Sequence, residues 1–337
     1  MMTFDEIRKE IKARHFKPIY FFCGEEAFFI DTLTDLLENT VLSEDQKAFN
    51  QTVVYGNDVS MSTVTDTARR YPMMSDLQVV IVREAQNIRD FDNLLPYIDH
   101  FQATTILVFA YKNKKPDKRK GVFKKLGSSP DCVYLETSKL YDNKVPDWIV
   151  GYCQEQSLKI NMKAANMLAE SLGTDLSRIA NEVDKLSLKV NKGGEINEAL
   201  VEENTGISKD FNSFELLNAV MHKDFLKAAR IVNYFEANPK SNPLVLTITA
   251  LFRYFVNLLT YHYEKKTVTN QQEMARILGV HPFFMKDYTE GGRLYSAMKC
   301  SKVISLLREY DLKSKGVGNA NIVEGELLKE LIYKIMH

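Results

Sequence analysis

Short, continuous apolar runs alternate with segments of helical spacing over the first 140 residues of the chain. Apolar runs of this length predict strands that are buried on both faces. The predicted strands are residues 19–23, 51–55, 77–82, 105–109 and 132–135. The predicted helices are residues 25–42, a helix ending at Tyr71, and segments through 91–98 and 122–126. Five alternations of strand and helix predict a parallel sheet covered by helices on both faces.

Strand signals vanish from about Tyr141, and the rest of the chain predicts helices. A first group is a helix opened by Val145-Pro146-Asp147, then 164–172 and 176–190, closed by a turn at 191–194. A second group is 214–221, 225–235, 244–263, 271–278, 283–288, 297–312 and 323–335, with a linker at 238–243. The predicted domains are therefore an α/β domain (1–140), a small three-helix domain (141–209) and a larger helical domain (210–337).

The stretch Tyr71-Pro72-Met73-Met74-Ser75 lies between a predicted helix and a predicted strand. Pro72 disfavours helical backbone in the residue before it, so Tyr71 is predicted to be the last helical residue, on an apolar stripe. Two adjacent side chains cannot both face one core. Either one Met ends the helix and the other begins the strand, both buried, or the pair is exposed and fits an apolar groove on a partner. Spacing alone favours the buried interpretation.

Charge and cysteine usage narrow the class of protein. The 337 residues include 44 basic and 44 acidic side chains, so no global positive field attracts nucleic acid or membrane. The four cysteines form no CxxC pair, which is typical of a reducing compartment. The N-terminus lacks a signal pattern, and no apolar run is expected to reach membrane-spanning length. These features predict a cytoplasmic protein.

The turn after the first strand does not have the sequence of a phosphate-binding loop. Gly24-Glu25-Glu26 supplies neither the lysine nor the hydroxyl that such a loop needs, and two carboxylates at a helix N-terminus repel phosphate. Where an acidic, magnesium-binding residue is expected after the third strand, the sequence has Arg83. The six histidines show no metal-ligand spacing. We therefore expect a degenerate nucleotide site, with no catalytic residue, cofactor or metal.

Two further stretches leave alternatives open. Residues 111–126 are rich in cations, either a solvated face or a contact for DNA or an acidic partner. The candidate contacts are Lys112, Lys114, Lys115, Lys118, Arg119, Lys120, Lys124 and Lys125. Residues 273–288 resemble a helix-turn-helix in their spacing. The second helix of this stretch is mostly apolar, which favours packing within a helical bundle over reading of DNA bases.

Four stretches, in order along the chain, resemble one family. They are residues 71–80, the segment Gly173-Thr174-Asp175-Leu176 with Glu182 and Lys185-Leu186, residues 278–284 and residues 311–315. Together they resemble the delta-subunit family of bacterial DNA polymerase III clamp loaders, which belong to the AAA+ clamp-loader subunits. The resemblance covers essentially the whole chain. It implies a degenerate AAA+ (RecA-like) core, a helical lid and a helical collar domain.

The resemblance also implies a function. In that family an apolar pair enters a pocket on the ring-shaped sliding clamp (beta subunit), and here the pair is Met73-Met74 within residues 71–75. Many relatives carry an aromatic residue there, and this sequence offers none in the pair. The collar would assemble with ATP-hydrolysing gamma/tau subunits and with delta-prime, and the assembly would act on primer-template DNA. Delta-type subunits do not hydrolyse ATP. The alternatives are an active AAA+ ATPase and a helical DNA-binding regulator.

Overall fold

The computed structural model of the chain describes residues 2–190, 194–205, 208, 210–239, 242–317 and 323–337. Two compact units make up the chain, Met1–Leu140 and Tyr141–His337, and each has its own hydrophobic core. Of the predicted turn at 191–194, the structure describes only Gly194. Residues 240 and 241 of the predicted linker also lie outside the described residues. The division of the second unit into lid and collar domains stays a prediction.

The first unit contains a five-stranded sheet with the order β2-β3-β4-β1-β5, in which all neighbours are parallel. The strands are β1 (Ile19–Gly24), β2 (Gln51–Tyr55), β3 (Gln78–Arg83), β4 (Thr105–Lys112) and β5 (Cys132–Thr137). The α-helices are α1 (Phe4–Lys12), α2 (Ala27–Thr40), α3 (Glu44–Asn50), α4 (Met61–Ala68), α5 (Leu95–Asp99) and α6 (Gly121–Ser128). All five predicted strands and the α/β class are confirmed, whereas α1 and α3 were not predicted.

Both faces of this sheet are covered, which explains the continuous apolar runs. Phe21 on β1 points to one face, where its ring centroid lies 5.5–6.2 Å from those of five other aromatic residues. Its neighbours Tyr20 and Phe22 point to the other face and join a second buried cluster with residues of α1 and α2. Every residue of β1 is buried. Strand β1, which lies between β4 and β5, therefore fixes the position of the turn that follows it at Gly24.

The second unit is built mainly from helices. They are α7 (Val145–Glu155), α8 (Met162–Leu172), α9 (Leu176–Ser187), α10 (Glu198–Thr205), α11 (Ser213–Met221), α12 (Phe225–Ala237), α13 (Leu244–Glu264), α14 (Gln271–Leu278), α15 (Met285–Leu294), α16 (Ala297–Ser314) and α17 (Glu324–Met336). The prediction of helices alone in this unit is wrong at a two-residue parallel pair of strands, β6 (Lys159–Ile160) and β7 (Glu195–Ile196). Helix α10, which the sequence pattern did not predict, lies in the same region among the described residues.

Helix α13 is long and apolar enough to cross a membrane, judged by length and composition alone. The expectation that no run reaches that length is therefore wrong. Seven of its 21 residues are buried, and it packs against α16 within the core of the second unit. A core helix passes the same test of length and composition, so α13 is weak evidence for a membrane span.

The stretch that looked like a helix-turn-helix packs as part of the helical core. Met274 and Leu278 of α14 and Met285 and Tyr288 of α15 belong to the same buried cluster. Between the helices, Gly279 has the left-handed conformation typical of a helix C-terminus. The interpretation of this stretch as packing within a bundle is confirmed.

A close contact between α13 and α15 gives a test of this core. The hydroxyl of Tyr254 is buried, and no group among the described residues hydrogen-bonds to it. A Cβ added at Gly291 would lie 2.0 Å from that hydroxyl oxygen. We expect Gly291→Ala to lower the free energy of unfolding by about 1–3 kcal/mol through overpacking. Adding Tyr254→Phe should restore most of this loss, because it removes the clashing oxygen together with an unpaired polar group.

Urea denaturation followed by circular dichroism measures both variants. The packing described here would be contradicted if Gly291→Ala raised the stability, as alanine does at an open helical position.

Candidate functional site

Helix α4 ends at Ala68, with Arg69 as its cap, three residues before the predicted end at Tyr71. In a longer helix the carbonyl of Ala68 would accept a hydrogen bond from the N–H of residue 72, but a proline has none. Side chains take over this role. The hydroxyl of Thr105 donates to the Ala68 carbonyl at 2.7 Å, and Nε2 of Gln78 donates to it at 3.2 Å. The prediction for Tyr71 is wrong, and its side chain is exposed rather than part of the buried stripe.

Gln78 holds the chain where it leaves the helix. It is only 8% exposed and is followed in β3 by four buried apolar residues, 79–82. The two hydrogens of its amide nitrogen are shared among three acceptors, because the carbonyl of Arg70 and, at 2.7 Å, the hydroxyl of Thr105 also lie within hydrogen-bonding distance. A buried amide needs such partners, and here they are the backbone carbonyls that the interrupted helix leaves free.

The side chain of Asn50 holds the next part of this segment. Asn50 is the last residue of α3 and is 4% exposed. Its Oδ1 accepts a hydrogen bond from the N–H of Met73 at 2.6 Å, and its Nδ2 donates to the carbonyl of Met73 at 2.9 Å. One amide therefore pairs with both backbone groups of Met73, as a neighbouring strand would.

The two methionine side chains lie outside the core. Met73 is 63% exposed and Met74 is 101% exposed. Met74 has φ = 54°, a left-handed conformation that costs a non-glycine residue about 1–2 kcal/mol. The hydroxyl of Ser75 then donates to the carbonyl of Leu77 at 3.0 Å and closes the turn into β3. The interpretation that both methionines are buried is wrong, and we refer to residues 71–75 as the Met tip.

Two exposed aromatic side chains accompany the Met tip. Tyr71 belongs to it, and Phe49 precedes Asn50 at the end of α3. Tyr71, Met73 and Met74 are exposed within four consecutive residues, and large apolar side chains exposed together rather than singly are typical of interaction sites. The role of Tyr71, Pro72, Met73, Met74 and Ser75 in binding a clamp stays a prediction.

The turn at Gly24 is filled by the protein's own groups. The N–H of Glu25 donates to the carbonyl of Thr137 at 3.1 Å, and the hydroxyl of Thr137 donates to the carbonyl of Glu26 at 2.9 Å. Glu26 caps α2 by accepting from the N–H of Phe28 at 3.2 Å. Amide groups at a helix N-terminus are the ones that would bind phosphate, and here they bind a carbonyl and a carboxylate.

The segment after β4 folds back over the same turn. Lys114 forms an isolated antiparallel bridge with Gly24, and the Nζ of Lys115 lies 3.5 Å from a carboxylate oxygen of Glu25. These contacts place protein backbone beside Gly24. The turn and its surroundings thus lack the open, glycine-rich cradle of a phosphate-binding loop.

Arg83 ends β3 and joins it to α2. Its Nη2 lies 2.6 Å from a carboxylate oxygen of Asp35 and 2.6 Å from one of Glu38. Burial alone would lower the pKa of the Arg83 guanidinium, but these two hydrogen bonds raise it above its ordinary value. A permanent cation therefore stands where a nucleotide site would need a magnesium ligand.

Carboxylates neutralise much of the basic run. Lys112 pairs with Asp31 at 3.1 Å and Lys118 with Glu136 at 2.6 Å, while Lys125 pairs with Asp99. Arg119 pairs with Asp117 at 2.9 Å, and this hydrogen bond lowers the pKa of Asp117 to about 2. Within the described ranges, the cations of this run with no carboxylate within 4.0 Å are Lys114, Lys120 and Lys124. Contact between this run and DNA stays a prediction.

Sequence reasoning missed Asn50 and Gln78, the residues that position the Met tip. A signal existed for Gln78, because one polar residue in a buried apolar strand must find partners. Asn50 gave no such signal, since its partner lies 23 residues away and its helix was not predicted. Across the residues that the structure describes, no group of three or more His, Cys, Asp or Glu side chains could hold a metal ion.

A parallel sheet of this strand order, a helical second unit and a turn without phosphate-binding groups define an AAA+-like protein with a degenerate nucleotide site. Two family models match the chain. The model described as DNA polymerase III, delta subunit matches residues 20–136, and the model of that subunit's C-terminal domain matches residues 210–329. Together they cover well over half of the sequence. The chain belongs to the DNA polymerase III delta subunit family.

Two relatives extend this similarity over nearly the whole length. The DNA polymerase III subunit delta of Bacillus subtilis (strain 168) is 25% identical over 325 residues, 93% of this chain and 92% of that protein. A solved structure of the Bacillus subtilis DNA clamp loader delta protein covers 99% of both chains, with a TM-score of 0.52 and 22% sequence identity. At this identity the structural similarity supports the fold alone.

Gly24 offers a test of the filled turn. It has φ = 128°, and an added Cβ would lie 2.0 Å from the carbonyl oxygen of Thr137. We expect Gly24→Ala to lower the free energy of unfolding by about 3 kcal/mol or more, because both the backbone angle and the contact with β5 oppose the new methyl group.

Gly127→Ala is the matched control. No atom lies within 4 Å of a Cβ at Gly127, which is in helix α6, so this change should be neutral or stabilising. Denaturant titration compares the two variants. Equal stability of the two would show that Thr137 does not fill the turn.

Proposed function

We propose that the chain binds a ring-shaped sliding clamp through the Met tip and holds the ring open for loading onto primed DNA. The observation that carries this proposal is the exposure of Met73 and Met74 on a backbone that buried side chains hold in place. Membership of the DNA polymerase III delta subunit family supports a role in a clamp loader.

The Met tip suits an apolar pocket. Burying two methionine side chains contributes roughly 3–6 kcal/mol before the costs of association. Methionine is unbranched and polarizable, so the pair adapts to the shape of a pocket. Tyr71 is exposed two residues before the pair, and Phe49 is exposed next to Asn50, so these residues would supply the aromatic contact that the pair itself lacks.

The same proposal assigns no ATP hydrolysis to this chain. Thr137 and the carboxylate of Glu26 use the groups that would bind phosphate, and Arg83 stands in place of a metal ligand. The energy for the loading cycle would then come from partner subunits that hydrolyse ATP. An active ATPase is less consistent with these contacts. A DNA-reading regulator is less consistent with the packing of α14 and α15 into the buried core of the second unit.

The second unit supplies surface for such partners. Large apolar side chains stay exposed on its helices, among them Leu246, Phe252, Phe283 and Tyr333. We propose that this unit assembles with the ATPase (gamma/tau) and delta-prime subunits of a clamp loader, and that primer-template DNA is bound through the assembly.

Replication in bacteria takes place in the cytoplasm, where we expect this protein.

Replacing both methionines tests the proposed function. We expect the double variant Met73→Asp and Met74→Asp to bind the sliding clamp of the same organism at least about 100-fold more weakly, because two charges cannot enter an apolar pocket. Calorimetric titration of the purified clamp with the full chain measures the affinity, and circular dichroism checks that the fold is retained.

Leu188→Asp is the matched control for that experiment. Leu188 is 87% exposed and lies in the second unit, so the same kind of change should leave clamp affinity unaltered. Wild-type affinity in the methionine variant would overturn the proposed function.

Nucleotide binding tests the second part of the proposal. Titration of the full chain with ATP and magnesium should give no saturable heat at micromolar concentrations, since the amide of Glu25 is already bonded and Glu26 occupies the helix N-terminus. A saturable signal from the wild-type chain would contradict the description of this turn.

A further inference from the structure

Hydrogen bonds within the Met tip do not fix the backbone conformation of Met73. Within residues 71–75 the structure gives no backbone hydrogen bond from Met73 to another main-chain group, and both polar groups of Met73 bind the side chain of Asn50 instead. Met74, the next residue, has a left-handed backbone that a free chain rarely adopts. Something outside the tip must therefore keep this conformation populated.

Asn50 is well placed for that task. It is almost fully buried, and its Nδ2 also donates to the carbonyl of Gln46 at 3.1 Å, one turn earlier in α3. The amide is thus oriented by its own helix before it contacts the tip. Asparagine presents a donor and an acceptor side by side, which matches the N–H and carbonyl of a single residue.

We infer that Asn50 is a positioning residue for clamp binding, which keeps Met73 and Met74 in the conformation that enters the clamp. This inference rests on the proposed function of the Met tip. Asn50 acts through Met73 and is not itself expected to touch the clamp. If only a fraction of free molecules holds the tip in that conformation, the apparent affinity falls by the same fraction.

The direct test compares Asn50→Ala with the wild-type chain. We expect amide exchange at Met73 to become at least about tenfold faster, because its acceptor is gone, while exchange in the sheet stays unchanged. Clamp affinity should fall by about tenfold. Hydrogen–deuterium exchange and calorimetric titration of the full chain measure the two effects.

A coupled variant separates positioning from a general loss of stability. If Asn50 acts through the tip, then in a Met74→Ala background the change Asn50→Ala should weaken binding by less than about threefold. Thr137→Val is the control for stability. It removes the hydrogen bonds of a buried hydroxyl on β5, at the opposite edge of the sheet from β2, and should leave clamp affinity unchanged.

Asn50→Asp keeps the test decisive if the alanine variant does not fold. It preserves size and the acceptor for the Met73 N–H, but sets a carboxylate oxygen against the carbonyls of Met73 and Gln46, so we again expect weaker binding. Wild-type affinity in a folded Asn50 variant, or an equal loss in the Met74→Ala background, would overturn the inference. Should Met73→Asp with Met74→Asp also bind normally, the proposed function itself fails.

Discussion

The absence of an N–H group at Pro72 is the constraint on which the candidate site depends. It leaves the carbonyl of Ala68, the last residue of α4, without its helical partner, and side chains hold the chain from there until β3 begins. Thr105 and Gln78 bind the chain where it leaves the helix, and Asn50 binds it at Met73. These anchors lie inside the fold, and the side chains of Met73 and Met74 consequently point outward.

The opposite situation holds at the turn after β1. There the backbone groups that could bind an external phosphate are used internally, by Thr137 and by the side chain of Glu26. Arg83 forms ion pairs with α2 instead of leaving a carboxylate for a metal ion. The sheet thus has the architecture of a nucleotide-binding domain, but the groups that would bind a nucleotide there bind other parts of the same domain. Such a rigid scaffold suits a protein that presents a preformed surface to a partner.

Most of the architecture could be predicted because local pattern determines it. A strand buried on both faces needs a continuous apolar run, as β1 and β4 have, and the long helices of the second unit have a clear helical period. Short elements escaped prediction for the same reason. Helix α3 has seven residues and one buried position, and the β6–β7 pair has two residues in each strand, too few to show a period.

The candidate site was only partly predictable. The pair Met73-Met74 could be located, since two adjacent apolar residues after a proline cannot share one core. Its exposure could not be decided from spacing, because the residues that hold it are distant in sequence and contact its backbone rather than its side chains. The end of α4 was misplaced because Tyr71 continues the apolar period although its backbone no longer continues the helix.

Methyl NMR of the methionines tests the central claim most directly, namely that a preformed Met tip enters a pocket on the clamp. The chain contains 12 methionines, and in the described structure Met73 and Met74 are exposed whereas Met61 and Met274 are buried. Adding unlabelled clamp should shift and broaden the methyl signals of Met73 and Met74 while those of the buried methionines keep their positions. Binding of the clamp with the signals of Met73 and Met74 unchanged would contradict the account.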